Sequence, residues 1–280
     1  MATLVVRLKT SGMFCELAHT VAAAGYADAH DLALRPVWLG GLYSPPGQDA
    51  WPQLFDQPET PSHVALDIGN RDPRIHPYRL VSPRGPELPS VYQVRYKCRD
   101  FLAPPASRGQ AARLIRQYVV PRPEVLAAKR ELRDRIEPGT IGLHLRGPGR
   151  LHGGAAWLYD QLCMGKPPYE AYFRIVDRQL GADSRVLLCT DAGCVADRVL
   201  RRYGRNRVIQ ASQHLPDEGE PHLAKRFDPH GLAVDALCDA WLLASCSFLV
   251  HGNSNLSNFV LCLNPDLAHA DIFAGVYPCC

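Results

Sequence analysis

The sequence predicts an α/β fold of two units, built of parallel strands covered by helices. Three observations carry this expectation. Between residues 140 and 263, short continuous apolar runs alternate with segments of helical spacing. That is the pattern of parallel strands buried on both faces and joined by crossover helices. The chain opens on the same unit, an apolar run, a Gly-containing loop and a helical segment. Between the two regions stands the turn Glu137-Pro138-Gly139. It divides the 280 residues into units 1–136 and 137–280, a length that allows one large domain or two small ones.

Taken in order, residues 2–7 read as a strand that ends at the loop Thr10-Ser11-Gly12. Phe14, Leu17, Val21, Ala24 and Ala27 then mark a helix over 14–31, and 36–39 a second strand. The stretch 44–107 is rich in Pro, Gly and charge, with short apolar pieces such as 64–68, and reads as loops and short strands. Residues 108–135 are helical in pattern, broken into two by Pro121 and Pro123. In the second unit, strands are expected at 140–145, 185–190, 207–210 and 247–251. Helices are expected at 168–180, 192–204, 230–245 and 254–263.

Composition narrows the classes. Hydrophobic residues make up 46% and charged residues 21% of the chain, an ordinary globular balance. A formal net charge of +3 is too small to argue for nucleic acid or a membrane surface as partner. No run is long enough to span a bilayer, and the start has neither a basic segment nor a cleavage site. A soluble, cytoplasmic protein is expected. The ten cysteines show no CxxC pair and no zinc spacing; Cys189, Cys238, Cys246 and Cys262 lie in apolar runs and read as core thiols. Asn255-Leu256-Ser257 matches a glycosylation acceptor only formally.

The informative polar residues sit at strand ends of the second unit, where ligands of open α/β sheets collect. The first cluster is His144-Leu145-Arg146-Gly147-Pro148-Gly149-Arg150. Arg146 there is either a solvated strand-end residue or a planar fork of donors for a phosphate. Glycines in that loop would let backbone approach closely. The second is Thr190-Asp191, in which Asp191 either caps the next helix or meets a ligand hydroxyl. The third is His251-Gly252-Asn253-Ser254-Asn255, where a strand runs into a helix. Its unpaired N–H groups and dipole suit an anion, although Ser or Asn there would also serve as plain caps. The P-loop pattern is absent. Finally, Asp239 shares a helical stripe with Leu232, Ala236 and Leu243. An acid so placed needs compensation, either an Arg in a structural bridge or the N–H donors of a base such as guanine.

Together these motifs resemble the fucosyltransferase superfamily that includes the nodulation-factor and core α-1,6-fucosyltransferases. IGLHLRGPGR looks like that family's first motif, VLLCTDAGCVADRVLRRYG with RNRVI its second, and DAWLLASCSFLVHGNSNLSNFV its third. The resemblance is clearest across 138–265, and the loop Ser11-Gly12-Met13-Phe14 fits the family's opening more loosely. It implies a GT-B type fold, two facing Rossmann-like units with parallel sheets covered by helices, with 1–136 as the acceptor side and 137–280 as the nucleotide-sugar unit. It implies an inverting transferase that moves fucose from GDP-fucose to an acceptor hydroxyl without a metal cofactor. By position, Arg146 matches the arginine on the donor's β-phosphate, His144 the histidine beside the nucleotide and Asp239 the acid that reads guanine. Ser254 with Asn255 matches the phosphate-binding end of the third motif, and Arg150 a catalytic basic residue. Gly154 stands where the core enzyme has its catalytic acid.

The expected donor site is thus Gly12, His144, Arg146, Asp191, Asp239, Asn253, Ser254 and Asn255. Catalysis is assigned to Arg146, Arg150 and His152, the last as base from its place in the loop, with Asp100 and Glu170 as other candidates. Two further readings remain: a protein that binds a sugar nucleotide without turnover, and an enzyme acting on another phosphorylated ligand.

Overall fold

The computed structural model describes residues 2–9, 12–57, 63–70, 72–75, 78–80, 94–96, 105–147, 169–216, 227–252 and 254–272. Arg150, His152, Gly154, Asp100 and Asn253 lie outside these residues.

The first half of the chain builds a three-stranded parallel sheet of order β2-β1-β3, from β1 (Thr3–Leu8), β2 (Ala33–Trp38) and β3 (Val64–Gly69). Pro36 falls in β2, an edge strand, where the missing N–H costs no ladder bond. Helix α1 (Met13–Ala29) covers this sheet, and Leu17, Val21 and Ala24 on it are fully buried. Helix α2 (Trp51–Leu54) is one short turn; β4 (Tyr78–Leu80) and β5 (Val94–Tyr96) form a separate parallel pair. The helical pattern of 108–135 resolves into α3 (Pro105–Tyr118), α4 (Pro123–Ala127) and α5 (Arg130–Arg133). Pro123 opens α4 because a first-turn proline has no N–H to lose.

The second half builds a five-stranded parallel sheet of order β10-β9-β6-β7-β8. Its strands are β6 (Ile141–Leu145), β7 (Val186–Thr190), β8 (Val208–Gln210), β9 (Phe248–His251) and β10 (Ala268–Asp271). Its helices are α6 (Tyr169–Gln179), α7 (Gly193–Tyr203), α8 (Pro229–Ala244) and α9 (Asn255–Leu263). The period of two along each strand assigns the faces. Ile141, Leu143, Leu145, Val186 and Leu188 pack with Phe173 and Val176 of α6 and Val195 and Val199 of α7. Leu187, Cys189, Ile209 and Leu249 face the other way, into a cluster with α8 and α9. Gly142 takes that face on β6 because a Cβ there would lie 3.0 Å from Leu243 and 3.3 Å from the Cys246 sulfur.

The cluster under α8 and α9 is continuous with the core of the first half, running from Leu4 and Leu17 to Leu237 and Phe259. The Phe259 ring lies 5.4 Å from Phe14 of α1 and 5.7 Å from Trp241 of α8. Cys189, Cys238, Cys246 and Cys262 are buried free thiols, as expected of core cysteines. Burial pushes the Cys238 thiol up to about 11 and those of Cys246 and Cys262 up to about 12. Strand β10 has no counterpart in the sequence reading. Among the described residues, no helix is long and apolar enough to cross a membrane.

Candidate ligand-binding site

In the second sheet the chain starts at the centre, runs outward through β7 and β8, then returns to β9 on the other side of β6. The strand order reverses between β6 and β9. A crevice opens there at the strands' carboxyl ends, the place where open α/β sheets bind ligands. A pocket of about 300 Å³ lies at these ends. His144 and Arg146 line it from β6, Thr190 and Asp191 from β7, and Ser212 and His214 from the segment after β8. Leu232, Asp235, Ala236 and Asp239 of α8 form one wall; Asn255 and Leu256 of α9 add to it. The first half contributes Gly12 through Cys15 at the start of α1, and Tyr43.

One end of the pocket suits an anion. Alternation along β6 turns His144 toward α9, where its Nδ1 lies 2.8 Å from Ser257 Oγ and 3.4 Å from Ser254 Oγ. Ser254 is the N-cap of α9, accepting the Ser257 N–H at 3.0 Å. Capping and a place beside the pocket are therefore combined in one residue. The helix start carries the partial positive charge of its dipole. The start of α1 also faces the pocket, and Tyr43 Oη accepts the Met13 N–H at 2.9 Å. Arg146 is one-third exposed and its Nε lies 3.5 Å from Asp191 Oδ2.

Asp191 does not cap the helix that follows, which corrects one reading of the sequence. The N-cap of α7 is Ala192, without a side-chain bond. Asp191 instead accepts the Gly147 N–H at 2.5 Å and holds Arg146. Gly147 is required by this contact: a Cβ there would lie 2.3 Å from the Cβ of Ala192. The close approach expected of that glycine is thus to the β7 loop.

The other end is acidic and buried. Asp239 is 6% exposed and Asp235, one turn earlier on α8, 7%. The partner of Asp239 is Lys129, not an arginine, with Nζ 2.6 Å from Oδ1. Ser212 Oγ donates to Asp239 Oδ2 at 2.5 Å and accepts the Thr190 N–H at 2.9 Å. Lys129 also pairs with Asp235 Oδ1 and donates to its main-chain carbonyl at 3.2 Å. Asp235 Oδ2 accepts from Gln213 N at 2.9 Å, His214 N at 3.0 Å and His214 Nδ1 at 3.0 Å. Burial works to raise the Asp235 carboxyl, but Lys129 and the two main-chain donors outweigh it and hold it low. For Asp239, burial and the neighbouring Asp235 outweigh Lys129 and push the carboxyl up to about 6. Burial disfavours the Lys129 charge, yet the two carboxylates overcome it and hold the ammonium above the ordinary lysine range.

Behind the α9 start, a chain of rings fixes the preceding backbone. His251 Nδ1 donates to the Gly252 carbonyl at 3.1 Å, and its Nε2 lies 3.1 Å from His269 Nδ1. Arg108 Nη1 lies 3.3 Å from His269 Nε2. With both rings neutral, one direction of donation satisfies every contact, from Arg108 through His269 and His251 to Gly252. Burial pushes His251 down to about 3.

The structure brings together Gly12, His144, Arg146, Asp191, Asp239 and Asn255 along the pocket, with Ser254 packed against His144. Glu170 is not among them; it is exposed on α6, within 4 Å of Arg198 and Arg202. Lys129, Asp235, Ser212, His214 and Tyr43 were missed. An Asp four residues before Asp239 was a usable signal, since i and i+4 share a helix face.

No family model and no curated protein sequence matches the chain. Solved structures do. The fucosyltransferase NodZ from Bradyrhizobium is 19% identical, with a TM-score of 0.55 over 96% of this chain and 94% of that one. POFUT1, solved in complex with GDP-fucose, is 12% identical, with a TM-score of 0.53 over 96% of this chain and 98% of that one. A variant of Arabidopsis thaliana FUT1 in complex with GDP is 12% identical, with a TM-score of 0.51 over 94% of this chain and 69% of that one. The two helix-covered parallel sheets, with a pocket at their strand ends, are the α/β fold of the fucosyltransferases.

Proposed function

We propose that the protein is an inverting glycosyltransferase that moves a sugar, fucose, from a GDP-sugar to an acceptor hydroxyl. The observation that carries this is the two-ended pocket. Arg146, His144 and two helix starts lie at one end and a buried acid pair at the other, about 300 Å³ in all. A nucleoside diphosphate has matching ends, an anion and a base edge that donates hydrogen bonds. The fold's solved neighbours include NodZ soaked with GDP-fucose and POFUT1 in complex with GDP-fucose, which supports the same ligand here.

In this reading the acceptor oxygen attacks the anomeric carbon from the face opposite the diphosphate. The carbon–oxygen bond to the β-phosphate breaks, and GDP leaves with the electron pair. Arg146 and the α9 start stabilise the charge that develops on the leaving group; fixed donors do this without reorganisation. Asp191 fixes the Arg146 guanidinium and the turn at Gly147. The acceptor proton goes to a base, which we assign to the segment that carries Arg150 and His152. No metal takes part, since Arg146 and backbone N–H groups supply the positive field. The sheet of the first half is the proposed acceptor side.

Thermal shift with GDP, UDP, ADP and dTDP, each without added metal, tests the donor. A ligand that binds the folded state raises its melting temperature. GDP alone should do so, and GDP-fucose should then be consumed when an acceptor is supplied. Stabilisation by another nucleotide, or turnover that stops on chelation of metal, would overturn the GDP and metal-free assignments respectively.

A further inference from the structure

We propose that Lys129 is the positioning residue of the base end of the pocket, holding Asp239 as a fixed, ionised acceptor for a guanine edge. This rests on the reading of the pocket as a GDP-sugar site and adds to it a residue from the other half of the chain.

Lys129 sits between α4 and α5, yet its ammonium lies beneath α8 with a side chain 3% exposed. Its ammonium donates to Asp239 Oδ1 and to the Asp235 carbonyl, and forms an ion pair with Asp235 Oδ1. It does not line the pocket, so it acts through the carboxylates. Asp235 and Asp239 are one turn apart and both buried. Two such carboxylates without a cation share a proton rather than both ionise. One ammonium between them leaves the wall with a single net negative charge.

The free lone pairs say which acid reads the base. An ionised carboxylate offers about four acceptor positions. Asp235 Oδ2 already accepts three N–H groups, and its Oδ1 is held against the Lys129 ammonium. Asp239 accepts one from Lys129 and one from Ser212, which leaves one position on each oxygen. Guanine presents two adjacent donors, N1–H and N2–H, and a carboxylate accepts both side by side. A protonated Asp239 would place a hydrogen on one of those oxygens and lose the match.

The charged groups facing Asp239 are Lys129 and Asp235, with the thiols of Cys189 and Cys238 beside it and His214 beyond Asp235. Burial keeps both thiols protonated, raising Cys189 far above its ordinary value and Cys238 up to about 11. Lys129 is therefore the one cation opposing protonation of Asp239 among the groups named. Base binding needs the ionised form, so it is complete at high pH and lost as pH falls through the Asp239 value. Removing Lys129 raises that value and moves the loss toward neutral pH.

The test is calorimetric affinity for GDP and inosine diphosphate, which lacks the N2 amino group, between pH 5 and 9. It uses the full chain, Lys129→Met, and Lys129→Met/Asp235→Asn, which restores the single negative charge of the wall. The wild type should prefer GDP, with an acid limb below neutral pH. Lys129→Met should bind GDP about tenfold more weakly at pH 7, the loss for a displacement of about two pH units from a starting value of about 6, and recover toward pH 9. The double variant, freed of the Asp235 charge that opposes ionisation of Asp239, should recover part of the GDP affinity lost at pH 7. A cation that serves folding alone would lower the melting temperature of Lys129→Met and leave the GDP to inosine diphosphate ratio and the acid limb in place, which overturns the proposal. If Lys129→Met does not fold, Lys129→Gln is read in its place: an acid limb moved toward neutral pH supports the role, and an unaltered limb and GDP preference sink it. A wild type indifferent to the base would remove the GDP assignment itself. A selective wild type with an unaltered Lys129→Met removes only the role of Lys129.

Discussion

At the scale of single residues, the proposed GDP complex gives Arg146 and Asp239 opposite ends of the ligand, so their variants should fail differently. Arg146→Ala should weaken GDP binding by about 1.5–3 kcal/mol, the range for a hydrogen bond to a charged group. Isothermal calorimetry reads this directly; unchanged affinity would take Arg146 out of the phosphate site. Because the guanidinium is one-third exposed, folding should be little affected. Asp239→Asn keeps the shape and removes the charge between Lys129 and Ser212. It should erode preference for GDP over ADP and UDP more than it reduces diphosphate affinity. A folded variant with intact base preference would end the guanine assignment. His144, Arg146 and Ser254 were legible in the sequence because strand ends and helix starts announce themselves locally. Lys129 was not, since it meets Asp239 across 110 residues and nothing in its own neighbourhood marks it. Asp191 was misjudged for a related reason: a favoured capping residue was one position early, and Gly147 claimed its carboxylate.

At the scale of elements, the loop after β6 is positioned by the loop after β7. Gly147→Ala places a methyl group 2.3 Å from Ala192 Cβ, closer than carbon atoms approach, so the β6 loop must shift and lose its 2.5 Å bond to Asp191. A destabilisation of about 1–3 kcal/mol is expected, the usual cost of overpacking. Denaturant unfolding measures it, and a weakened response to GDP should accompany it because Arg146 is the preceding residue. A variant as stable as the wild type would show that the two loops are not coupled. Strands such as β6 and β7 were legible as continuous apolar runs, and α7 by the Gly204 at its end. β10 was not, because Ala268-His269-Ala270-Asp271 has no apolar run. Its strand form depends on parallel pairing with β9, which the sequence pattern does not express. The break at Pro121 and Pro123 was read correctly, but two helical pieces were expected and a second break at Ala128-Lys129 makes three; that lysine acquires meaning only from the packing of α4 on α8.

At the scale of the whole molecule, the two halves share one core and several polar ties, and the ties differ in their response to pH. Phe14 on Phe259 and Lys129 on α8 join the halves close to the pocket. Arg108 of α3 joins them through His269 and His251, ending at the Gly252 carbonyl before α9. His251 is fully buried, and its value of about 3 lies below the ordinary 6.5. Between these values the unfolded chain binds a proton that the folded chain excludes, so stability rises with pH and is lost on acidification. Going from pH 7 to pH 5, this group alone should remove about 2 kcal/mol. His269, also held low by burial and by Arg108, acts in the same direction. Asp239 acts oppositely: its folded value is raised, so it binds a proton more readily folded than unfolded, and acidification through about 6 favours the fold. The net curve mixes these effects, which makes a difference between variants the sharper reading. His251→Asn retains a side-chain N–H for the Gly252 carbonyl and has no proton to gain. Its unfolding free energy, from denaturant titrations at pH 7 and pH 5, should fall by about 2 kcal/mol less than that of the wild type across the same interval. Parallel falls in the two proteins would mean that His251 is protonated in the folded state, and the neutral chain from Arg108 to Gly252 would have to be abandoned.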